Sequence, residues 1–347
     1  MTKKLITYSE AISAGTVQSM ENNNAVIVLG IGVDYPSGIF GTTNEAYKKF
    51  GPSRVLDTPA IENSLTGICI GASLYGLKPI LVHARADFMI LSLDQIINVA
   101  SKWQYMFGGN AGNASVVVRA IIGKGWGQGA THSQSLHTVL SHFPGLRVLM
   151  PASPSDAKGM LTSSIQSKDP IVIFEHRSLY DIVGEVEEDY FEADILSASI
   201  VQKGSDVTVV AASYQVQIAL DSAKILSEMG IDVELIDLRV ISPIDKDTVL
   251  QSVRKTKRLV VVDGTWSAFG LGSEIIAIVS ETLHGELICP PLRLANSPNP
   301  APVSRNLEEA FYVNSTLLTN RILEIFDNNL ETKLITNRSE SEFQGPY

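Results

Sequence analysis

The chain has 347 residues, about two domains' worth, of which 45% are apolar and 18% charged, so wholesale disorder is excluded. Lys+Arg total 27 against 37 Asp+Glu, leaving a net charge of −10 and none of the basic footprint of a general nucleic-acid or anionic-membrane binder. The two cysteines, Cys69 and Cys289, exclude a disulfide framework and a cysteine-based zinc site, and they fit a cytoplasmic protein. MTKKLITYSE opens with two lysines but no apolar run of roughly 7–15 residues behind them, so no signal peptide is expected. No stretch reaches the ~18–20 apolar residues of a membrane helix.

Strand-like and helix-like stretches alternate along the chain. AVIVLGIG (25–32) is a short apolar run closed by glycines and predicts a buried strand. Residues 60–77 place apolar and small side chains at helical spacing, Pro79 ends that helix, and KPILVHA resumes as a strand. Residues 91–108 predict a longer helix, with Ser92 as N-cap and Gly108-Gly109 closing it. SVVVRAII (115–122), RVLMPAS (147–153) and PIVIFEH (170–176) predict further strands. Apolar strands separated by helices imply a mostly parallel sheet. The acidic stretch around 181–205 loses this periodicity and predicts a linker at 186–204. A second alternation follows: strands at 206–213, 232–239 and 258–264, helices at 218–230, 245–256 and 272–283. The expected class is therefore α/β, with two doubly wound domains at 1–185 and 205–327 and a polar tail at 328–347.

Two places draw attention as chemistry. Gly123, Gly125, Gly127 and Gly129 alternate directly after a predicted strand, in a loop that lets backbone approach a ligand closely. The loop has neither the phosphate-loop nor the dinucleotide spacing, and glycine alone fits an ordinary surface loop better than a ligand loop. THSQS then sets His132 among hydroxyl and amide side chains, a better setting for proton transfer than a strand core. Glu62 stands at the start of a predicted helix. Its carboxylate either complements the helix N-terminus or faces a pocket and hydrogen-bonds a ligand nitrogen. His83, His137, His142, His176 and His284 have no metal-ligand spacing and are read as structural.

FGPSRVLDTPAIEN, GASLYGLKPI, ADFMILSLDQIINVASK, THSQS, HFPGLRVLMPASPSDAKG and DPIVIFEHRSLY together resemble the β subunit of the 2-oxoacid dehydrogenase E1 component. VQKGSDVTVVAAS, IDVELIDLRVISPID and KRLVVVDG resemble the transketolase-type C-terminal domain, and the order is kept from about residue 4 to 327. The resemblance implies a transketolase-like pyrimidine-binding domain followed by that C-terminal domain, and thiamine diphosphate as cofactor. Glu62 matches the glutamate that shares a proton with N1′ of the aminopyrimidine, which promotes the tautomer that activates the cofactor. Phe88 matches the aromatic that stacks on the pyrimidine, and Ala60 is implied as a further cofactor contact. His132 matches the histidine facing the reacting carbon and the acyl acceptor.

The chain contains no G-D-G, the motif that opens the metal–diphosphate site. In the resembled family that motif lies on the α subunit. The resemblance thus implies Mg2+ on a partner, an α2β2 heterotetramer, and transfer of an acyl group from a 2-oxoacid to the lipoyl group of an acyltransferase (E2). Three departures stand out. Ile31 and Gly32 replace two acids near the proton relay, Arg85 replaces a neutral or aromatic residue, and Leu91 replaces a polar one. Arg85 either binds a substrate carboxylate or phosphate or pairs with Asp87, since residues 85 and 87 share a face if they lie on a strand. The departures keep open a two-subunit decarboxylase or carboligase of a specialised pathway. A non-catalytic regulatory or scaffolding subunit is the other alternative, and retention of Glu62 and His132 speaks against it.

Overall fold

The structure is a computed structural model that describes residues 2–124 and 127–326. Gly125 and the tail expected at 328–347 lie outside the described residues. The chain divides into two units. The first takes the chain up to Gly123, His132–Leu196 and Val240–Pro243, and the second takes Lys124–Thr131, Ser197–Arg239 and the chain from Ile244 on.

The first unit is built on a seven-stranded sheet. Its strands are β2 (Val26–Gly30), β3 (Val55–Asp57), β4 (Lys78–His83), β5 (Val117–Ile122), β6 (Arg147–Leu149), β7 (Ile171–His176) and β12 (Val240–Ser242). Their order is β12-β6-β7-β5-β4-β2-β3, parallel throughout except for β12 against β6. Every residue of β5 and β7 is buried, the pattern of strands covered on both faces. The helix Tyr8–Asn22 starts with a capping box. The Thr7 hydroxyl accepts from the Glu10 N–H (3.2 Å) and the Glu10 carboxylate from the Thr7 N–H (2.7 Å). It packs against the helix Pro154–Gln166, capped by Ser153, which accepts from the Asp156 N–H at 3.1 Å.

One ion pair lies inside this sheet. Arg119 on β5 donates to Glu175 on β7 from Nε (2.5 Å) and Nη2 (2.9 Å), with side-chain exposures of 0% and 3%. Arg119 also donates to the Thr42 hydroxyl (3.0 Å), and Tyr180 donates to Glu175 Oε2 (2.7 Å). Burial works against the guanidinium's charge, yet the adjacent carboxylate holds its pKa above the usual arginine value.

The second unit carries a five-stranded sheet of β9 (Ser199–Gln202), β10 (Val207–Ala211), β11 (Val233–Asp237), β13 (Leu259–Trp266) and β14 (Leu292–Asn296). The order is β14-β13-β10-β11-β9, parallel except for β9 on β11. Helices Tyr214–Glu228, Lys246–Thr256 and Leu271–Leu283 alternate with the strands. Ser315–Phe326 packs on the first of these, with the Ser222 and Thr319 hydroxyls 2.8 Å apart. No helix among the described residues is long and apolar enough to cross a membrane.

Three local expectations are corrected. The stretch expected as a linker contains β9, and β8 (Val183–Glu187) runs into it, paired antiparallel with β1 (Lys3–Thr7). Between them the chain is tied down, because the buried Lys158 ammonium donates to the carbonyls of Glu187, Glu188 and Asp189 at 2.6, 3.1 and 2.8 Å. Ser92 is not an N-cap. Helical backbone already runs from Ala86, through a 3-10 turn at Ile90–Ser92 and a π segment at Gln95–Ala100, into Ser101–Phe107. Finally, Arg85 and Asp87 do not share a strand face, because Arg85 caps the short helix Ala86–Met89.

Candidate active site

The carboxyl ends of β2, β3, β4 and β5 lie side by side in the sheet order. The candidate residues sit in the segments that leave those ends: Ala60 and Glu62 after β3, Arg85 and Phe88 after β4, His132 after β5. The edge outside the carboxyl ends of parallel strands is where open α/β sheets bind ligands.

Glu62 opens the helix Glu62–Leu74, which has no side-chain cap at Ile61. Its side chain is half-buried, and its carboxylate makes no hydrogen bond or ion pair among the described residues. The helix start is docked on the segment after β4. The buried Thr66 hydroxyl donates to the Glu62 carbonyl (2.7 Å) and lies 2.9 Å from the Ser92 hydroxyl, and Asn63 Nδ2 reaches the Leu91 carbonyl at 3.4 Å. Ala60 is exposed in the preceding loop.

Phe88 projects from Ala86–Met89 with 42% of its surface exposed, although Ala86, Asp87 and Met89 are buried. Its ring meets the His132 ring edge-on, with centroids 5.3 Å apart and planes at 86°. One residue back, Asp87 Oδ1 accepts from Gln134 Nε2 (2.8 Å) and from the Gln134 N–H (3.4 Å). Arg85 is buried, and its Nη1 donates to the Gly123 carbonyl at 3.5 Å. Gly123 has φ +95°, and a Cβ there would run into the His176 ring, so the glycine loop needs glycine at its first position.

The departures from the family pattern are also placed. Gly32 has φ +74° and donates its N–H to Asp57 Oδ1 at 2.6 Å, so a carboxylate at the end of β3 is turned to the backbone where two acids are missing. Ile31 and Leu91 are exposed, at 38% and 60%. A single element set thus brings Phe88 and His132 into contact and docks the start of the Glu62 helix on the segment that follows Phe88. The Asp87–Gln134 bond escaped the sequence pattern; its only signal is the position of each residue beside a candidate.

His83 ends β4 just before this segment. It is buried, its Nε2 has no hydrogen bond among the described residues, and burial pushes its pKa down to about 4. The imidazole is therefore neutral at neutral pH.

The transketolase pyrimidine-binding domain matches residues 4–182 and the transketolase C-terminal domain residues 196–316. The chain is 39% identical over 317 residues to the β subunit of acetoin:2,6-dichlorophenolindophenol oxidoreductase of Cupriavidus necator, covering 87% of this chain and 91% of the relative. It is 36% identical over 312 residues to the 2-oxoisovalerate dehydrogenase β subunit of Bacillus subtilis, covering 89% and 95%. The chain belongs to the β-subunit family of the 2-oxoacid dehydrogenase E1 component. Its pyrimidine-binding domain and family imply thiamine diphosphate as the cofactor and an α-type E1 subunit as the partner. Among solved structures, a split-gene transketolase in an inactive beta4 tetramer shares the fold of this E1 β chain. The TM-score is 0.75 at 21% identity, over 92% of this chain and 98% of that one.

The residues present fit the pyrimidine half of that cofactor. A half-buried carboxylate with no hydrogen bond among the described residues suits a ring nitrogen, and an exposed aromatic face suits a flat heterocycle.

Proposed function

We propose that this chain is the β subunit of a thiamine-diphosphate-dependent 2-oxoacid dehydrogenase, active only with an α-type subunit in an α2β2 heterotetramer. The reaction is decarboxylation of a 2-oxoacid and transfer of the acyl group to a lipoyl group on a separate acyltransferase. Mg2+ and the diphosphate are held by the partner, since this chain has no G-D-G. The observation that carries the reading is the Glu62 carboxylate, without a hydrogen bond among the described residues, on a helix start docked beside a segment whose Phe88 meets His132.

When bound, the cofactor supplies the carbanion chemistry that decarboxylation needs. This chain's own part is proton management and orientation. The Glu62 carboxyl holds a proton for the pyrimidine N1′, at the start of a helix fixed by the Thr66 hydroxyl. Phe88 offers the flat apolar face, with Ala60 beside Glu62 as a further contact. His132, edge-on to Phe88, donates or accepts a proton on the substrate side. Arg85 is read as an anchor of the Gly123 loop rather than a substrate ligand, because it is 4% exposed and donates to a backbone carbonyl.

The test is turnover by the chain assembled with its α partner, on a panel of 2-oxoacids and acetoin with an artificial electron acceptor. Turnover of one of these, reduced ~10²–10⁴-fold by Glu62→Gln with the fold retained, is the expected result. Activity of Glu62→Gln within about threefold of wild type excludes the assigned role.

A further inference from the structure

We propose that Asp87 is a positioning residue of the site, holding His132 against Phe88 by way of Gln134. The inference rests on the reading of Phe88 and His132 as active-site residues. Two adjacent contacts join the segment after β4 to the segment after β5. Phe88 meets the His132 ring, and one residue earlier Asp87 accepts both the side-chain and the backbone N–H of Gln134. The first contact is an edge-on ring pair at 5.3 Å, which is weak and only loosely directional. The second is a hydrogen-bond pair to a carboxylate, stronger and geometrically specific.

Asp87 is suited to the task. It is 9% exposed, on a helical turn that buries Ala86 and Met89 completely, so its backbone is fixed by the core. Its Oδ2 makes no hydrogen bond among the described residues. Among the described residues the carboxylate's hydrogen bonds therefore all run through Oδ1 to Gln134. Gln134 lies two residues after His132, on a segment without regular secondary structure. Such a segment has no ladder of its own to fix a side chain, so an outside bond sets where His132 points. A small misplacement of a reacting group costs about 10²-fold in rate.

The experiment uses the assembled enzyme and four variants: Asp87→Ala, Asp87→Asn, Gln134→Ala and the double alanine. Steady-state kinetics are read beside the rate at which diethyl pyrocarbonate modifies the His132 peptide, followed by mass spectrometry without cofactor or substrate. The proposal expects Asp87→Ala and Gln134→Ala each to lower kcat about 10–100-fold, with KM and cofactor affinity within about threefold. The double variant falls no further than the worse single one. Asp87→Asn keeps the oxygen that Gln134 donates to and stays within about threefold of wild type. His132 modification quickens several-fold in both alanine variants and not in Asp87→Asn. Equal loss in Asp87→Asn and Asp87→Ala overturns the proposal, and so does unchanged His132 modification in Gln134→Ala. Gln134 is only half-buried, so its variant reports even if Asp87→Ala fails to fold. If His132→Ala itself leaves turnover unchanged, the functional reading fails, while the modification rates still decide whether Asp87 holds His132.

Discussion

Replacing Glu175 by alanine removes the carboxylate from a pair whose side chains are 0% and 3% exposed. Arg119 then keeps only the Thr42 hydroxyl as its described partner. Its Nη1 already has no hydrogen bond among the described residues, and Tyr180 loses the oxygen it donates to. An uncompensated charge at such a site costs about 3–5 kcal/mol. For a unit of this size each kcal/mol lowers the melting temperature by about 2–4 °C, so the expected drop is about 6–20 °C by scanning calorimetry. The paired change Arg119→Met with Glu175→Leu removes the stranded charge and recovers most of that loss, because buried ion pairs and apolar replacements of similar volume are close in energy. A drop below about 2 °C in Glu175→Ala refutes the argument, since it means that water or a rearranged partner reaches Arg119. A double variant as unstable as the single one refutes it as well.

His83 sets a pH dependence of stability. Its folded pKa of about 4 lies below the ordinary histidine value, so the unfolded chain takes up a proton that the folded chain does not. Its share of stability is complete above about pH 6.5 and is lost as pH falls toward 4; urea midpoints of His83→Leu should show a shallower fall across that window, and an unchanged slope counts against the assignment. Arg85→Ala is expected to lower the melting temperature while leaving KM for the 2-oxoacid within about threefold, and a KM rise of 30-fold or more makes Arg85 a substrate anchor instead. Phe88→Ala is expected to weaken cofactor binding in the assembled enzyme by roughly tenfold, measured by quenching of intrinsic fluorescence, and unchanged affinity removes Phe88 from the cofactor site.

The central strands could be read from sequence because they are buried on both faces. KPILVH, VVRAII and IVIFEH are continuous apolar runs, and each is a strand of the parallel sheet. β8 and β9 gave no such run, because only Val186 among their residues is buried and the alternation is weak, and only pairing defines them. The helix Tyr8–Asn22 was equally silent, since it buries Ser13, Gly15, Thr16 and Ser19 and so blurs the apolar stripe. Ser92 looked like a cap because serine favours that position. Its hydroxyl instead hydrogen-bonds the Thr66 hydroxyl inside the protein, where it ties the Glu62 helix to the Phe88 segment. Glu62, Phe88 and His132 were legible as residue types matching a family motif. The contact between Phe88 and His132, and the Asp87–Gln134 bond beside it, depend on two loops meeting and have no sequence period.

The most direct test of the account is calorimetric titration of thiamine diphosphate with Mg2+ into the isolated chain and into the chain assembled with its α partner. Tight, Mg2+-dependent binding is expected only in the assembly, because this chain carries a pyrimidine-binding domain and no G-D-G. Micromolar, Mg2+-dependent binding to the isolated chain would contradict it.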